Sequence, residues 1–156
     1  MTGVIIGVES TAHTFSFGLV TEEGIPRKSH SALYRPEEGG IHPREAADHH
    51  SNLASQLISS LMEEENLVSN DVMAIAYSQG PGLGPCLRIG ANVSRALSKQ
   101  WEIPLVGVNH CVAHIEIGRN QTGCIDPVLL YVSGGNTQVI ARAGDRYQVL
   151  GETLDI

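Results

Sequence analysis

Two stretches of this chain repeat one pattern, and the repeat constrains the fold more than any other feature. Residues 3–8 form an apolar run that reads as a buried strand. It passes through Glu9-Ser10-Thr11-Ala12-His13 into Thr14 to Val20, where Phe15, Phe17 and Leu19 alternate onto one face. After Asp126-Pro127 the pattern restarts: Val128 to Val132, then Ser133-Gly134-Gly135-Asn136, then Thr137 to Ala141. Each half is expected to be a β-hairpin whose turn is built from small, polar or glycine residues. Glu22-Glu23-Gly24 turns the first hairpin into a third strand near 25–33, and Tyr147 to Leu150 extends the second.

Between the two hairpins the period changes. Pro43, a residue favoured in the first helical turn, opens a helix over 43–65 with Ala46, Ala47, Leu53, Ala54, Leu57, Ile58, Leu61 and Met62 on one stripe. Val72 to Tyr77 is a short buried strand, and Ser78 to Pro85 a Gly/Pro-rich loop. A second helix from Cys86 turns Ile89, Val93, Ala96 and Leu97 inward. Pro104 to Val108 is a strand, and Asn109 can cap a helix running through Ile117. This order predicts an α/β domain with a mixed sheet.

Composition removes some classes of function. A formal net charge of −7 argues against a dedicated nucleic-acid module with a large basic face. Eight of the ten basic residues are arginine, the side chain suited to bidentate phosphate contacts, so a nucleic acid stays open as a substrate if partners supply most phosphate contacts. No apolar run is long enough to span a membrane, and the N-terminal sequence has no signal-peptide pattern. The three cysteines share no metal-ligand spacing, and their odd number argues against a disulfide framework. A cytoplasmic location is expected.

Five segments carry candidate chemistry. Glu9-Ser10-Thr11 ends a strand with a carboxylate and two hydroxyls; it is either a phosphate-binding turn or an ordinary polar hairpin. Ser133-Gly134-Gly135-Asn136 is either a ligand loop or a turn that needs positive φ. Gly80 to Pro85 leads into a helix N-terminus that favours an anion, or it is only a rigid corner; it lacks the Lys-Ser/Thr ending of a P-loop. His110 and His114, at i and i+4, put two imidazoles on one helix face, where they could share a metal. The glutamate that zinc proteases carry after the first histidine is replaced here by Cys111, and Tyr131 is available as a third ligand. Gly39 to His50 packs His42, Arg44, Glu45, Asp48, His49 and His50 into a turn and the start of a helix.

Taken in order, GVESTAHTFSFGLV, GGIHPREAADHH, SQGPGLGPCLRIG, GVNHCVAHIEIGR and LLYVSGGNTQVI resemble one family, the universal tRNA threonylcarbamoyladenosine transferases, once described as O-sialoglycoprotein endopeptidases. The HPREAADHH form is similar to the archaeal and eukaryotic branch. The resemblance implies an actin-like ATPase fold, with a ribonuclease H-like first lobe over 1–125 and the opening strands of a second lobe over 126–156. It implies transfer of threonylcarbamoyl from threonylcarbamoyl-AMP to the adenosine beside the anticodon, in tRNAs that read codons beginning with A.

By the same resemblance His110, His114 and Tyr131 ligate one divalent metal, iron with zinc as the alternative. Tyr131, Val132, Ser133, Gly134, Gly135 and Asn136 bind the adenylate or ATP, with Glu9, Ser10 and Thr11 at the first phosphate turn. His42, Glu45 and His49 are the candidates for general base, by their place in the motif. The family continues beyond the point where this sequence stops. Its second lobe supplies an aspartate ligand, so this sequence alone is expected to be inactive. The expected partners are tRNA and the subunits of the archaeal KEOPS complex: a small dimer-forming subunit on the helix 43–65, and a kinase-like subunit that some members carry fused. The rival readings are a metalloendopeptidase, a nucleotide-binding or DNA-binding module without transfer activity, and a sugar or acid kinase.

Overall fold

The computed structural model describes residues 3–154. Strands β1 (Val4–Glu9), β2 (Thr14–Thr21) and β3 (Pro26–Leu33) are followed by helix α1 (Pro43–Glu64), strand β4 (Val72–Gly80), helix α2 (Gly84–Trp101) and strand β5 (Leu105–Asn109). Helix α3 (His110–Thr122) and strands β6 (Leu129–Val132), β7 (Asn136–Ala143) and β8 (Arg146–Leu154) complete the order. Packing divides the chain into two units, one up to His110 and one from Cys111. Packing groups α3 from Cys111 onward with the later strands, where Cys111 and Ile115 bury against Ile140, Leu129, Tyr131 and Tyr147.

The first unit holds a five-stranded sheet in the order β3-β2-β1-β4-β5. β1 is antiparallel to β2 and parallel to β4, and β4 is parallel to β5. The sheet is therefore mixed, as the change of period in the sequence requires. Its core is the alternating face of β1 and β2, with Val4, Ile6, Val8, Phe15, Phe17 and Leu19 buried against Ala54, Ile58 and Leu61 of α1. Phe15 and Phe17 are fully buried and meet edge to face at 5.4 Å. Burying each ring contributes roughly 1.5–3 kcal/mol.

Helix α1 starts at Pro43 as expected, and the His42 carbonyl accepts the Ala46 N–H at 2.9 Å. Its outward face, with Asp48, Ser51, Asn52, Ser55, Gln56 and Ser59 exposed, is polar. Two sequence expectations shift. Ser78, Gln79 and Gly80 lie in β4 rather than in the loop, because Ser78 pairs with Val108 and Gly80 with Asn109 of β5, with an irregularity at Gln79. In α2, Ala96 is exposed while Gly90 and Ser94 are buried, because the helix approaches the β1–β2 turn through its smallest residues.

The second unit is a three-stranded antiparallel meander, β6-β7-β8, with the α3 residues from Cys111 onward packed on one face. Leu130 and Val132 alternate to the exposed face. Tyr147 donates its hydroxyl hydrogen bond to Glu116, which also binds Arg119 at 3.0 Å.

A methyl group at Gly90 would overlap Ser10 Oγ and lie 2.9 Å from Ser10 Cβ. Gly90→Ala is expected to cost about 1–3 kcal/mol by overpacking. Adding Ser10→Gly should recover part of that loss. Urea unfolding of the single and double variants measures it; additive costs would show that the two residues do not oppose each other.

Candidate functional site

The parallel strands β1, β4 and β5 run the same way, so their carboxyl ends lie along one edge of the first sheet. In open α/β sheets that edge is where ligands bind. Here it gathers Glu9 at the end of β1, Ser78 near the end of β4 and His110 just after β5. Glu9 accepts hydrogen bonds from the Thr11 N–H at 2.6 Å, from the Ser78 hydroxyl, and from His110 Nδ1 at 3.1 Å. Burial pushes the Glu9 carboxyl up, but the donors His110, Ser78 and Thr11 together outweigh it and hold the group at about 2.

The rest of the β1–β2 turn is packed shut. Ser10 and Thr11 are almost fully buried. The Thr11 carbonyl accepts the Leu83 N–H at 2.7 Å. A Cβ at Gly82 would stand 2.8 Å from Thr11 Cβ and 2.9 Å from Thr11 Cα, so only glycine lets the β4–α2 loop come this close. The Gly80–Pro85 segment, with a cis bond between Gly80 and Pro81, is in this structure a corner clamped onto the first hairpin.

A second cluster forms around the start of α1. His42 and Glu45 are exposed, His49 is half-buried and His50 is fully buried. His50 stacks on Phe15 at 5.3 Å, its Nε2 lies 2.9 Å from the Ala12 carbonyl, and its Nδ1 lies 3.3 Å from His49 Nδ1. A carbonyl only accepts, so His50 Nε2 carries the proton and donates it. In the neutral ring Nδ1 is then an acceptor, and His49 Nδ1–H must be its donor. The chain of bonds fixes both tautomers and makes Nε2 the lone-pair nitrogen of His49. Tyr34, which motif reading missed, donates its hydroxyl to Glu45 at 2.5 Å. That bond pushes the phenol up to about 12, so Tyr34 remains a donor at neutral pH.

In the second unit Tyr131 is half-buried and its ring lies 6.0 Å from that of His114. His110 and His114 stand one turn apart on α3, and the Tyr131 ring lies beside His114; imidazole nitrogen and phenol oxygen are donor types that iron and zinc accept. Among the described residues no three or more His, Cys, Asp or Glu are grouped to hold a metal ion. Cys111 is buried with Ile115 and Ile140 in the core of the second unit, and burial pushes its thiol up. Ser133 braces the β6–β7 turn: its N–H donates to the Asn136 carbonyl at 3.0 Å, and its hydroxyl accepts the Asn136 N–H at 3.2 Å. Gly134 and Gly135 are exposed, neither has positive φ, and a Cβ on either would meet nothing within 4 Å.

Burial pushes His50 below the ordinary value of 6.5. The bond to Ala12 opposes the shift, His49 and His13 add to it, and Glu9 opposes it. A folded pKa below the unfolded one means that the unfolded chain takes up the proton first. Stability is therefore expected to fall as pH drops through 6.5, and to be unaffected by this group above it. His50→Gln keeps a donor for Ala12 and cannot titrate, so urea unfolding at pH 7.5 and 5.5 should show a smaller acid loss for it than for the wild type. Equal losses would mean that His50 is not the responsible group.

Residues 26–156 match the family model described as TsaD, tRNA N6-adenosine threonylcarbamoyltransferase. A relative of that name from Archaeoglobus fulgidus is 56% identical over 98% of this chain and 46% of its own length. Another of that name, from Thermococcus kodakarensis, is 52% identical over 98% of this chain and 46% of its own. A "probable bifunctional tRNA threonylcarbamoyladenosine biosynthesis protein" from Thermoplasma acidophilum is 51% identical over 98% of this chain and 29% of its own. The chain thus spans about half or less of the length of the curated relatives it matches.

Among solved structures, YeaZ from Pseudomonas aeruginosa superposes with a TM-score of 0.68 at 16% identity, covering 97% of this chain and 67% of that one. The ethanolamine utilization protein EutJ from Carboxydothermus hydrogenoformans gives 0.52 at 16% identity, covering 99% of this chain and 51% of that one. These likenesses speak to the fold alone, and the fold is the α/β, actin-like one expected from the sequence. With the family model matched over residues 26–156, the chain belongs to the tRNA N6-adenosine threonylcarbamoyltransferase family.

Proposed function

We propose that the protein containing this chain transfers the threonylcarbamoyl group from threonylcarbamoyl-AMP to the N6 amine of the adenosine beside the tRNA anticodon. The observation that carries the reading is the family match over residues 26–156. In the reaction the amine attacks the carbamoyl carbon, a C–N bond forms, the mixed-anhydride C–O bond breaks, and AMP leaves with the electron pair. The donor is already activated, so the protein has to position two reactants and move one proton.

Each role has a candidate in this chain. The turn from Tyr131 to Asn136 is the adenylate loop: exposed glycines that neither φ nor packing requires are supported best by a ligand that approaches the backbone closely. His110, His114 and Tyr131 are the ligands of a divalent metal, iron or zinc, which when bound would polarise the carbamoyl oxygen or hold the adenylate. Among His42, Glu45 and His49, the best candidate for general base is His49, because the bond to His50 leaves its Nε2 as the basic nitrogen. Glu45, tied to Tyr34, is better placed to orient than to take a proton.

The acidic chain leaves most tRNA phosphate contacts to partner subunits. The polar outer face of α1 is the proposed contact for a small dimer-forming subunit of a KEOPS-type complex. A kinase-like subunit is the second proposed partner; the "bifunctional" names of the Thermoplasma acidophilum relative and one from Methanosarcina barkeri support a second activity fused in some relatives. No helix among the described residues is long and apolar enough to cross a membrane.

The test uses a protein of the relatives' full length that carries this sequence, assayed with its partner subunits. His110→Ala and His114→Ala should each lower bound metal, measured by elemental analysis, and lower transfer to tRNA with it. His49→Ala should lower kcat by about 10²–10⁴-fold at unchanged metal content, as expected for a general base. Unchanged metal in both α3 variants would remove the metal assignment. Absence of threonylcarbamoyl-tRNA product in the wild-type complex would remove the function itself.

A further inference from the structure

Glu9 is a carboxylate held from several sides. It is the last residue of β1, only about a third exposed, and encircled by donors from three separate segments: Thr11 in the hairpin turn, Ser78 in β4 and His110 at the start of α3. Ser78 is itself buried. This carboxylate is held, and what it holds in turn is a ring.

The chemistry of the pair fixes the ring's state. An ionised carboxylate only accepts hydrogen bonds, so the contact from Glu9 Oε2 to His110 Nδ1 at 3.1 Å places the ring proton on Nδ1. A neutral imidazole carries one N–H, and its lone pair then sits on Nε2. Isolated imidazole side chains favour the opposite form, with the proton on Nε2, so the carboxylate reverses the intrinsic preference. Metal-ligating histidines behave this way when their other nitrogen donates to a carboxylate, which fixes the tautomer and ring orientation and raises the ligand's basicity.

We propose that Glu9 is a positioning residue for His110, holding its imidazole with Nδ1 protonated and oriented so that Nε2 is the atom that would ligate the metal. The inference rests on the metal reading above and adds to it a residue from the opposite end of the first unit. Ser78 and the Thr11 N–H serve the same end one step further out, by fixing the carboxylate. Glu9 therefore need not touch either substrate to matter for the reaction.

The experiment has two readouts on a protein of the relatives' full length. The first is the tautomer of His110 in the metal-free wild type, read from long-range 15N–1H correlation of 15N-histidine-labelled protein and assigned by its loss in His110→Ala. The expected result is the Nδ1–H form; an Nε2–H form overturns the inference without need of any further variant. The second is Zn2+ titration of the wild type, Glu9→Ala, Glu9→Gln and His110→Ala, each checked for folding by thermal melting. Glu9→Ala should weaken Zn2+ binding by about 10–100-fold. Glu9→Gln, whose amide oxygen can still accept from Nδ1, should weaken it less.

A folded Glu9→Ala that binds Zn2+ within about twofold of the wild type, well inside that expected range, overturns the inference while His110→Ala still loses the metal and keeps the site reading intact. If His110→Ala binds Zn2+ like the wild type, the metal reading itself falls, and the positioning role with it. The tautomer then still reports whether the two side chains pair.

Discussion

A carboxylate sits at the end of β1 and receives three hydrogen bonds that no single segment could supply. Moving an ionised group two-thirds out of water is costly unless its lone pairs are met, and Glu9 meets them with a turn amide, a strand hydroxyl and a histidine ring. Those donors converge only if β1, β4 and β5 are parallel and in register, with Val8 beside Tyr77 and Gly80 beside Asn109. The arrangement of the candidate site is thus a consequence of strand pairing. A slip of one residue in β4 would turn Ser78 to the other face of the sheet.

Packing reinforces that geometry with small residues. Gly82 and Gly90 let the β4–α2 corner and α2 come down onto Thr11 and Ser10, where larger residues would hold them apart. On the other side of the same turn the Ala12 carbonyl is used by His50, whose ring continues the aromatic stack from Phe15 and Phe17. The turn therefore has three neighbours: the β4–α2 corner through Gly82 and Leu83, α2 through Gly90, and α1 through His50, which in turn binds His49. A core contact and a tautomer are here the same contact, since burying His50 is what gives His49 a defined donor and acceptor.

How much of this was legible in the sequence depended on range. Alternation at Phe15, Phe17 and Leu19 and the stripe from Ala46 to Leu61 are local periodicities, and both resolve into the core they predict. Pro43 marks the first turn of its helix for a local steric reason. Where local signals compete with pairing, pairing wins: Ser78-Gln79-Gly80 reads as loop by composition yet extends β4 against β5. Ala96 reads as core by type, yet Gly90 and Ser94 occupy the close approach. The third helix continues past Ile117 to Thr122, because Arg119 on its last turns engages Glu116 and the Tyr147 hydroxyl. The partnerships that define the site were not legible at all. Glu9 and His110 are 101 residues apart, and Tyr34 reaches Glu45 across a glycine-rich turn, so no spacing rule could pair them.

The two hairpins that look alike in sequence end up doing different work, and the glycines say why. In the first, the glycines that matter lie outside the turn, at Gly82 and Gly90, and they serve to press other segments onto it, so Ser10 and Thr11 are buried. In the second, the glycines lie in the turn itself, and neither backbone conformation nor any neighbouring atom demands them. A residue type that is destabilising elsewhere and is required here by neither φ nor packing is best explained by something that must come close to the main chain. That is the ground for proposing the phosphate-bearing ligand at the Ser133–Asn136 turn. Glu9, in the closed hairpin, is proposed to act through His110, whose ring it holds.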